Sequence, residues 1–384
     1  MKQIICLASE PWLRYPHRTQ QLLSRLTDAE ILYFEPPLYL PAFSKRRNAP
    51  RAVRNRYSKK PRDRKVRSGT RSTIHVCPLP PIWPMRKVAK GINNRRMLRY
   101  IQSRLRMYGF RSPALWVDSP FYADLLKDLD VSCTIYDYFT RDSRYPSRMQ
   151  DVLVQAADVI LSASPSLSKD LEELRDPETL NMALIPDGAD CRLFSQAGDN
   201  AADFPEELFN ISGPILGFAG VLSPGTDFNP LLHAAILRPD WTFVLAGRLN
   251  AEQVPSVLRE LPNVLVLPCR TVAQTAEYAA HFDLFFQLSV PENPVPDRIP
   301  PAALNALSTG KPLVLMTEPG QPPLLSDLAI PARSNAEFAA ACRKGITDPG
   351  NLQSREDRQQ FAAVFDWNRI ASEVARILEA NGIV

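Results

Sequence analysis

Two glycines and two arginines in the second half of the chain could together hold a diphosphate. Gly217 and Gly220 end the apolar run GPILGFAGV, where the absence of a Cβ lets backbone N–H groups come close to an anion. Arg248 ends a second apolar run, and a guanidinium can hold two phosphate oxygens at once. Arg298 precedes a predicted helix that begins near Pro300, and a helix N-terminus adds partial positive charge. The alternatives are an ordinary strand-to-helix turn for the glycines and a solvent-exposed side chain for Arg248.

A histidine and two arginines follow the first apolar run, in the segment RYPHRTQ. His17 could act as an acid, a base or a hydrogen-bond donor near pH 7, although a packing or surface histidine is an equally good interpretation. Arg14 and Arg18 could attract an anionic acceptor. The remaining histidines, whose spacing is not that of a metal site, are His75, His233 and His281. We therefore expect no metal and no other cofactor.

Several classes of protein are excluded by motifs that the sequence lacks. It contains no GxxxxGK[ST], GxSxG or HExxH pattern, which argues against a P-loop NTPase, an α/β-hydrolase and a zincin. The six cysteines form no CxxC pair and lie mostly in apolar runs, as free thiols of a reducing compartment do. No run approaches the roughly 18 apolar residues that span a bilayer, and the first residues do not form a signal peptide. We expect a cytoplasmic protein that could rest on the inner face of the plasma membrane.

The candidate residues lie at the ends of short apolar runs, and these runs predict the fold. In the first half, runs such as KQIICLAS, AEILYFEPP and VSCTIYDYF alternate with helix-like segments. Continuous apolar strands separated by helices are typical of a parallel sheet covered on both faces. A polar stretch near residue 200 predicts a linker, and a second series of the same kind follows it. The fold class is therefore predicted as α/β, with two doubly wound Rossmann-like domains facing each other across a cleft.

The predicted boundaries follow from the same pattern. An N-terminal domain covers residues 1–200, and a C-terminal domain covers residues 201–365. The tail over residues 366–384 is predicted to be an amphipathic helix, because Ile370, Val374 and Leu378 fall on one face. We expect this helix to pack back toward the N-terminal domain.

The segment over residues 45–71 differs in composition from the rest of the chain. Between Lys45 and Arg71 there are thirteen basic residues and one acidic residue, Asp63. Such a segment repels itself, which predicts a mobile loop or ribbon that does not pack. Three interpretations stay open: a solvated loop without a partner, attachment to an anionic membrane surface, and binding of nucleic acid. The nearby segment PPIWPMRKVAKGINNRR adds apolar residues beside further base, which favours the membrane surface over nucleic acid.

Ten segments in order resemble the glycosyltransferases of the GT-B architecture, in the broad group 1/4-like family of the bacterial exopolysaccharide and teichuronic-acid type. They are PWLRYPHRTQQLLSRL, ILYFEPP, IYDYF, ADVILSASPSL, LIPDGAD, PILGFAGVLS, PDWTFVLAGRL, PNVLVLP, FDLFFQLSV and ALNALSTGKPLVL. The resemblance implies a hexosyltransferase-type enzyme of cell-surface polysaccharide biosynthesis that retains anomeric configuration. It also implies a nucleotide-sugar donor bound by the second domain and a saccharide or lipid-linked acceptor bound by the first.

The resemblance also implies roles for individual residues. Asp297 and Asn305 match the two acidic positions of the family, of which the second grips the donor ribose and the first lies near the transferred sugar. His17 and Asp297 are therefore the candidate catalytic residues. In the alternative interpretation, Asp297 only shapes the start of the helix as a residue like an N-cap. Asp137 and Ser164 end strands of the first half and would line the acceptor side. The segment IPDGAD is similar to the family's inter-domain turn, with a structural role.

Two departures from the family pattern leave other functions open. The loop VLSPGTDFNP lacks the Arg and Lys that usually neutralise the leaving diphosphate, and Asn305 replaces a carboxylate. A catalytically degenerate GT-B protein that binds a sugar or scaffolds an assembly is therefore the first alternative. A nucleic-acid-binding protein that uses the basic segment is a remoter one, and a sugar-nucleotide epimerase is remoter still.

Overall fold

The computed structural model places the chain in two compact units. It describes residues 2–39, 62–84, 87–142, 144–199, 205–209, 211, 213–289, 295, 297–317, 325, 327–347 and 354–383. The first unit comprises Met1–Leu13, His17–Ile185 and Ala371–Val384, and the second comprises Arg14–Pro16 and Pro186–Ile370. The chain therefore passes from the first unit to the second after Ile185, whereas the sequence analysis placed the division at residue 200.

The first unit is built on an eight-stranded sheet. Its strand order is β3-β4-β2-β1-β5-β6-β7-β8, and every neighbouring pair is parallel except β3 with β4. The strands are β1 (Lys2–Leu7), β2 (Ala29–Glu35), β3 (Arg64–Arg67), β4 (Thr73–Pro78), β5 (Ala114–Val117), β6 (Cys133–Tyr138), β7 (Val159–Ser162) and β8 (Met182–Leu184). The strand β1 lies between β2 and β5, so successive strands run outward from it in both directions. This reversal of strand order creates a switch point at the carboxyl ends of β1 and β5.

The helices of the first unit connect these strands. They are α1 (Arg18–Arg25), α2 (Lys87–Tyr108), α3 (Ser147–Ala156) and α4 (Pro165–Glu172), with a 3₁₀ segment at Pro120–Asp128. Ile4, Ile5, Cys6 and Leu7 are all fully buried, so both faces of β1 are covered. The continuous apolar run that predicted a parallel strand is explained by this burial.

The second unit is built on a six-stranded parallel sheet with the order β11-β10-β9-β12-β13-β14. The strands are β9 (Ile215–Val221), β10 (Thr242–Arg248), β11 (Val264–Pro268), β12 (Leu284–Gln287), β13 (Leu313–Met316) and β14 (Ile330–Ala332). The helices are α5 (Cys191–Asp199), α6 (Asn229–Leu237), α7 (Ser256–Arg259), α8 (Val272–Ala279), α9 (Pro301–Thr309), α10 (Asn335–Thr347) and α11 (Arg355–Ala363), and the last helix, α12 (Trp367–Ala380), begins in this unit. This is the strand order of a dinucleotide-binding Rossmann domain, with its switch point between β9 and β12.

The core of the second unit shows that its sheet is covered on both faces. Phe243 and Leu245 of β10 belong to one buried apolar cluster, whereas Val244 and Ala246 belong to a second. Alternate residues of a strand point to opposite faces, so each cluster fills one face of the sheet. Together with the first sheet, this arrangement confirms the prediction of two doubly wound α/β domains.

The last helix belongs to both units. Its first residues are counted with the second unit and its remainder with the first. Within the first unit, Lys2 Nζ donates to Glu379 at 3.3 Å, and Asn181 donates to Asn381 at 2.6 Å. Among the described helices, none combines the length and the apolar character that crossing a bilayer requires.

The basic segment is the place where the sequence prediction fails. Residues 45–61 lie outside the described part of the chain, but residues 62–71 do pack. Arg64–Arg67 forms the edge strand β3, paired antiparallel with β4. The prediction that the segment does not pack is therefore wrong there. The reason is that an edge strand exposes its side chains, so Lys65 and Arg67 stay in solvent while Arg64 pairs with Glu35 at 2.8 Å.

Candidate functional site

The carboxyl ends of β9 and β10 bring together two of the predicted donor-binding residues, Gly220 and Arg248. In the parallel register, Gly220 lies beside Gly247, and Val221 lies beside Arg248. The first turn of α9 approaches the same point, because a Cβ built on Gly220 would lie 2.7 Å from the Cβ of Ala302. Backbone groups of β9 and the N-terminus of α9 therefore meet beside Arg248 at the switch point of the sheet. Such an edge is where open α/β sheets bind anionic ligands.

The glycines at this edge are required by packing. A Cβ on Gly247, whose φ is +141°, would lie 1.8 Å from the carbonyl oxygen of Gly220. Gly217 lies farther back within β9, and a Cβ there would lie 1.9 Å from the ring of Phe282. The structure therefore explains Gly217 by the contact with Phe282 and does not bring it to the strand end. That Gly217 contacts a donor stays a prediction.

Arg298 is held in place by a buried carboxylate. Its Nε and Nη2 both lie 2.5 Å from Oδ2 of Asp187, whose side chain is only 2% exposed. Asp187 comes from the segment IPDGAD, which the sequence analysis treated as a structural turn only. The signal for this residue was an acid in that turn, but its partner lies 111 residues later in the chain and could not be predicted from spacing. A ligand anion at Arg298 would share the guanidinium with Asp187.

Helix α9 places the two residues that match the acidic positions of the family. The helix begins at Pro301 with Pro300 as its N-cap, and no side chain caps its first turn. Asp297 lies three residues before that N-cap, so it does not cap the helix as the alternative interpretation required. Asn305 lies on the second turn and is almost buried, with 7% of its surface exposed. Pro300 and Pro301 have no N–H, and the N–H groups of Ala303 and Leu304 donate to the Pro300 carbonyl. The first turn therefore offers a phosphate the N–H of Ala302.

Tyr15 is a neighbour of Arg248 that the sequence analysis did not select. The short segment Arg14–Pro16 is counted with the second unit, and the Tyr15 side chain is buried while Arg14 is exposed. Burial raises the pKa of Tyr15 to about 12, with Thr275 and Arg248 acting in the opposite direction. The phenol is therefore protonated at neutral pH and remains a hydrogen-bond donor.

At the carboxyl edge of the first sheet, Arg18 and Asp137 form a buried ion pair. Arg18 Nε donates to Asp137 Oδ1 at 3.0 Å, and Arg18 Nη2 donates to the carbonyl of Ile185 at 2.7 Å. Both side chains are almost fully buried. The pair fixes the start of α1 against the end of β6. That these two residues contact an acceptor stays a prediction, and the geometry gives them a structural role.

His17 is oriented by a tyrosine of the neighbouring strand. Its Nε2 lies 2.9 Å from the hydroxyl of Tyr33, and that hydroxyl donates its single hydrogen to the carbonyl of Glu10 at 2.7 Å. The Tyr33 oxygen must therefore accept from His17, which places a hydrogen on Nε2. Burial also raises the pKa of Tyr33, so its hydroxyl stays protonated.

Asp118, which the sequence analysis did not select, lies at the switch point of the first sheet. Its Oδ1 accepts from the Ser9 N–H and its Oδ2 from the Thr19 hydroxyl, both at 2.6 Å. Burial, with a smaller contribution from the charge of Asp137, raises the pKa of Asp118 to about 7. The sequence signal was present, because the run PALWV ends at this aspartate. Its burial could not be predicted without the fold.

Two further polar groups at this edge stabilise local structure. Ser164 is the N-cap of α4 and accepts from the Leu167 N–H at 3.3 Å, which gives its side chain a capping role. Glu35 accepts from the Trp12 N–H at 3.0 Å as well as from Arg64. In the described part of the chain, no group of three or more His, Cys, Asp or Glu side chains could hold a metal ion.

Comparisons with known proteins show what the chain is similar to. No family model matches it. It is 26% identical over 234 residues to the putative teichuronic acid biosynthesis glycosyltransferase TuaH of Bacillus subtilis, an alignment that covers 58% of this chain and 57% of the relative. It is 22% identical over 253 residues to glycogen synthase of Mycobacterium tuberculosis, which covers 61% of this chain and 57% of that enzyme. The chain thus spans about 57% of the length of these curated relatives.

Solved structures match over the full chain. Sucrose-phosphate synthase from Thermosynechococcus elongatus has a TM-score of 0.69 at 13% identity, with 99% of each chain covered. Anabaena Alr3699/HepE in complex with UDP has a TM-score of 0.67 at 14% identity, with 99% of this chain and 100% of that chain covered. At these identities the likeness establishes the fold. The chain has the GT-B fold of glycosyltransferases and resembles that family, as the sequence analysis expected.

Proposed function

We propose that this chain is a hexosyltransferase-type glycosyltransferase that moves a sugar from a nucleotide-sugar donor to a saccharide or lipid-linked acceptor. The supporting observation is the edge of the second sheet, where the Gly220 backbone, Arg248 and the uncapped start of α9 converge at the switch point. Support also comes from the structures of Anabaena HepE with UDP and with UDP-glucose, which share this fold. The proposal includes retention of anomeric configuration. It also includes a place in cell-surface polysaccharide synthesis, which the name of TuaH, a teichuronic acid biosynthesis glycosyltransferase, supports.

The proposed chemistry rests on charge that develops on the leaving diphosphate. Arg248 and Arg298, together with the Ala302 N–H in the first turn of α9, would bind the diphosphate and stabilise it as the glycosidic bond breaks. Asn305 would accept from or donate to the ribose hydroxyls as a neutral amide. These groups supply positive potential without a metal ion, so the proposed reaction requires no cofactor. His17 and Asp297 would orient the transferred sugar or the acceptor hydroxyl.

The test is a donor screen with UDP-, GDP- and TDP-sugars that measures binding by calorimetry and donor hydrolysis by nucleoside diphosphate release. We expect one donor class to bind and turn over. Arg248→Gln is expected to weaken binding of that nucleoside diphosphate by about tenfold or more, the value of a charge-assisted hydrogen bond. Arg270→Gln, which changes an exposed arginine of the same unit, is the matched control. Millimolar or weaker binding of every nucleotide would contradict the proposal.

A degenerate binding protein is the second candidate, and a specific observation favours it. The loop after β9 carries no lysine or arginine, and Asn305 replaces an acid. In that case a nucleotide-sugar would bind without hydrolysis or transfer, and Arg248→Gln would lower affinity with no turnover to measure. Addition of a chelator does not distinguish the two candidates. It tests the expectation that no metal takes part, because transferase activity should then be unchanged.

A further inference from the structure

Helix α2 in the first unit has a one-sided charge. Its 22 residues carry no acid and seven bases: Lys87, Lys90, Arg95, Arg96, Arg99, Arg104 and Arg106. Some of these bases already have partners in the unit, since Arg104 pairs with Asp63 at 2.8 Å and Lys90 pairs with Asp124 at 2.5 Å. These two pairs neutralise Arg104 and Lys90, and the charge of the exposed arginines calls for another explanation.

Three of the other bases and Ile92 form a row on the outward face of α2. Ile92, Arg95, Arg99 and Arg106 are separated by three, four and seven residues, which places them on one side of a helix. All four are exposed, and Ile92 has 52% of its surface in solvent. Buried residues such as Met97 occupy the opposite side. The row extends over roughly 21 Å, at 1.5 Å per residue.

The edge strand β3 extends this basic face. Lys65 pairs with His75 in the antiparallel register, and the His75 ring stacks on Tyr108 of α2 at 4.3 Å. Paired residues of neighbouring strands point to the same side, so Lys65 and Arg67 point to the side of the sheet that α2 covers. The acids on this side include Glu30, which lies 4.0 Å from His75 Nε2, and Asp63, whose charge is already paired with Arg104. The face is therefore strongly positive.

Exposed apolar side chains lie near the amino end of α2. Trp83 and Tyr39 are 45% and 51% exposed. The Asn93 side chain of α2 hydrogen bonds both the N–H and the carbonyl of Trp83, at 3.1 and 2.9 Å, so the Trp83 backbone is fixed to the helix. The Arg96 guanidinium lies over the Trp83 ring at 5.6 Å. One ring face is therefore already covered, which disfavours stacking of a nucleic-acid base there.

We propose that this face binds an anionic lipid bilayer. The basic face, defined as Lys65, Arg67, Arg95, Arg99 and Arg106, would lie against anionic headgroups. Trp83 and Ile92 would enter the boundary between headgroups and acyl chains, where amphipathic aromatic side chains are favoured. The inference is independent of the donor site, and it differs from attachment through residues 45–61.

The test uses the full-length protein and sedimentation with vesicles of one third phosphatidylglycerol and two thirds phosphatidylcholine. Each base near an anionic surface changes the partition coefficient by about fivefold. The triple variant Arg95→Gln/Arg99→Gln/Arg106→Gln is therefore expected to bind about 100-fold more weakly than the wild type. The matched control, Arg333→Gln/Arg343→Gln/Lys344→Gln, removes the same charge from exposed positions of the second unit and should bind like the wild type.

A second variant tests the apolar part of the face. Trp83→Ala leaves the two backbone hydrogen bonds to Asn93 in place, and it should reduce the vesicle binding that persists at about 1 M salt, where surface charges are screened. Equal binding by the triple variant and its control would overturn the proposal. Tighter binding of RNA than of vesicles, with the same loss in the triple variant, would assign the face to nucleic acid instead. Donor binding without vesicles is a separate measurement, so its failure would leave this result intact.

Discussion

The carboxyl edges of the two sheets are built from different groups, although the central parallel strands of both sheets follow the same order. In the first unit the edge is filled by buried polar groups that bind one another, such as Arg18 with Asp137 and Asp118 with Thr19. In the second unit the edge is formed by close backbone contacts at Gly220 and Gly247, beside an uncapped helix start. The first arrangement fixes loops in position, and the second brings the start of a helix against the strand that lies beside Arg248. A shared strand order therefore does not imply a shared use of the switch point.

The largest expected effect tests the polar network of the first edge. Asp137→Ala leaves the buried Arg18 guanidinium without its carboxylate, so the free energy of unfolding should fall by about 3–5 kcal/mol. The double variant Arg18→Met/Asp137→Ala should lose less than the sum of the two single variants, because neither charge is then unpaired. Urea unfolding of all four proteins measures this difference. Strictly additive losses would contradict the view that this edge is one coupled network.

A pH series tests the same edge through Asp118. Its pKa is raised from 3.8 to about 7 in the folded state, so the folded chain holds a proton that the unfolded chain releases. That contribution is fully present below about pH 4 and is lost as the pH rises through 7. Asp118→Asn should therefore match the wild type near pH 4 and exceed its free energy of unfolding by about 2–4 kcal/mol at pH 8.

The difference between Asp118→Asn and wild type removes the contributions of all other titrating groups. The amide also keeps an oxygen for the Ser9 N–H, so its hydrogen bonding changes little. A difference that is constant between pH 4 and pH 8 would show that Asp118 is ionised throughout, and that the first edge tolerates a second buried charge beside Asp137.

The smallest expected effect concerns backbone packing in the second unit. Gly217→Ala must displace the Phe282 ring, and overpacking of this kind costs about 1–3 kcal/mol. Gly91→Ala in α2 is the matched control, because a Cβ there meets nothing within 4 Å and should stabilise the helix by up to about 1 kcal/mol. Thermal unfolding of both variants measures the two signs. If Gly217→Ala left thermal stability unchanged, packing against Phe282 would not explain Gly217, and contact with a ligand would be the remaining interpretation.

Much of the fold could be predicted because the strands of both units are buried on both faces. Runs such as IICL and TFVLAG are continuous in apolar residues, and each became a central parallel strand. The strands β3 and β4 were missed for the opposite reason. Arg64–Arg67 is an exposed edge strand whose composition resembles a solvated loop, and His75 interrupts the apolar pattern of β4.

The candidate site was predictable only in part. Strand ends identify positions such as Arg248 and Asp137, since residues after buried strands lie at one edge of a parallel sheet. The partners of these residues come from distant segments, as Asp187 does for Arg298 and Tyr33 does for His17. Spacing along the chain carries no information about such pairs.

The sequence by itself determined the class of fold, because apolar periodicity depends only on neighbouring residues. It also determined where charge accumulates, in the basic segment and along α2. Only the tertiary structure decided which charges are already neutralised by partners and which remain exposed. Burial and pairing depend on what other segments bring to the same place, and that is a property of the folded chain.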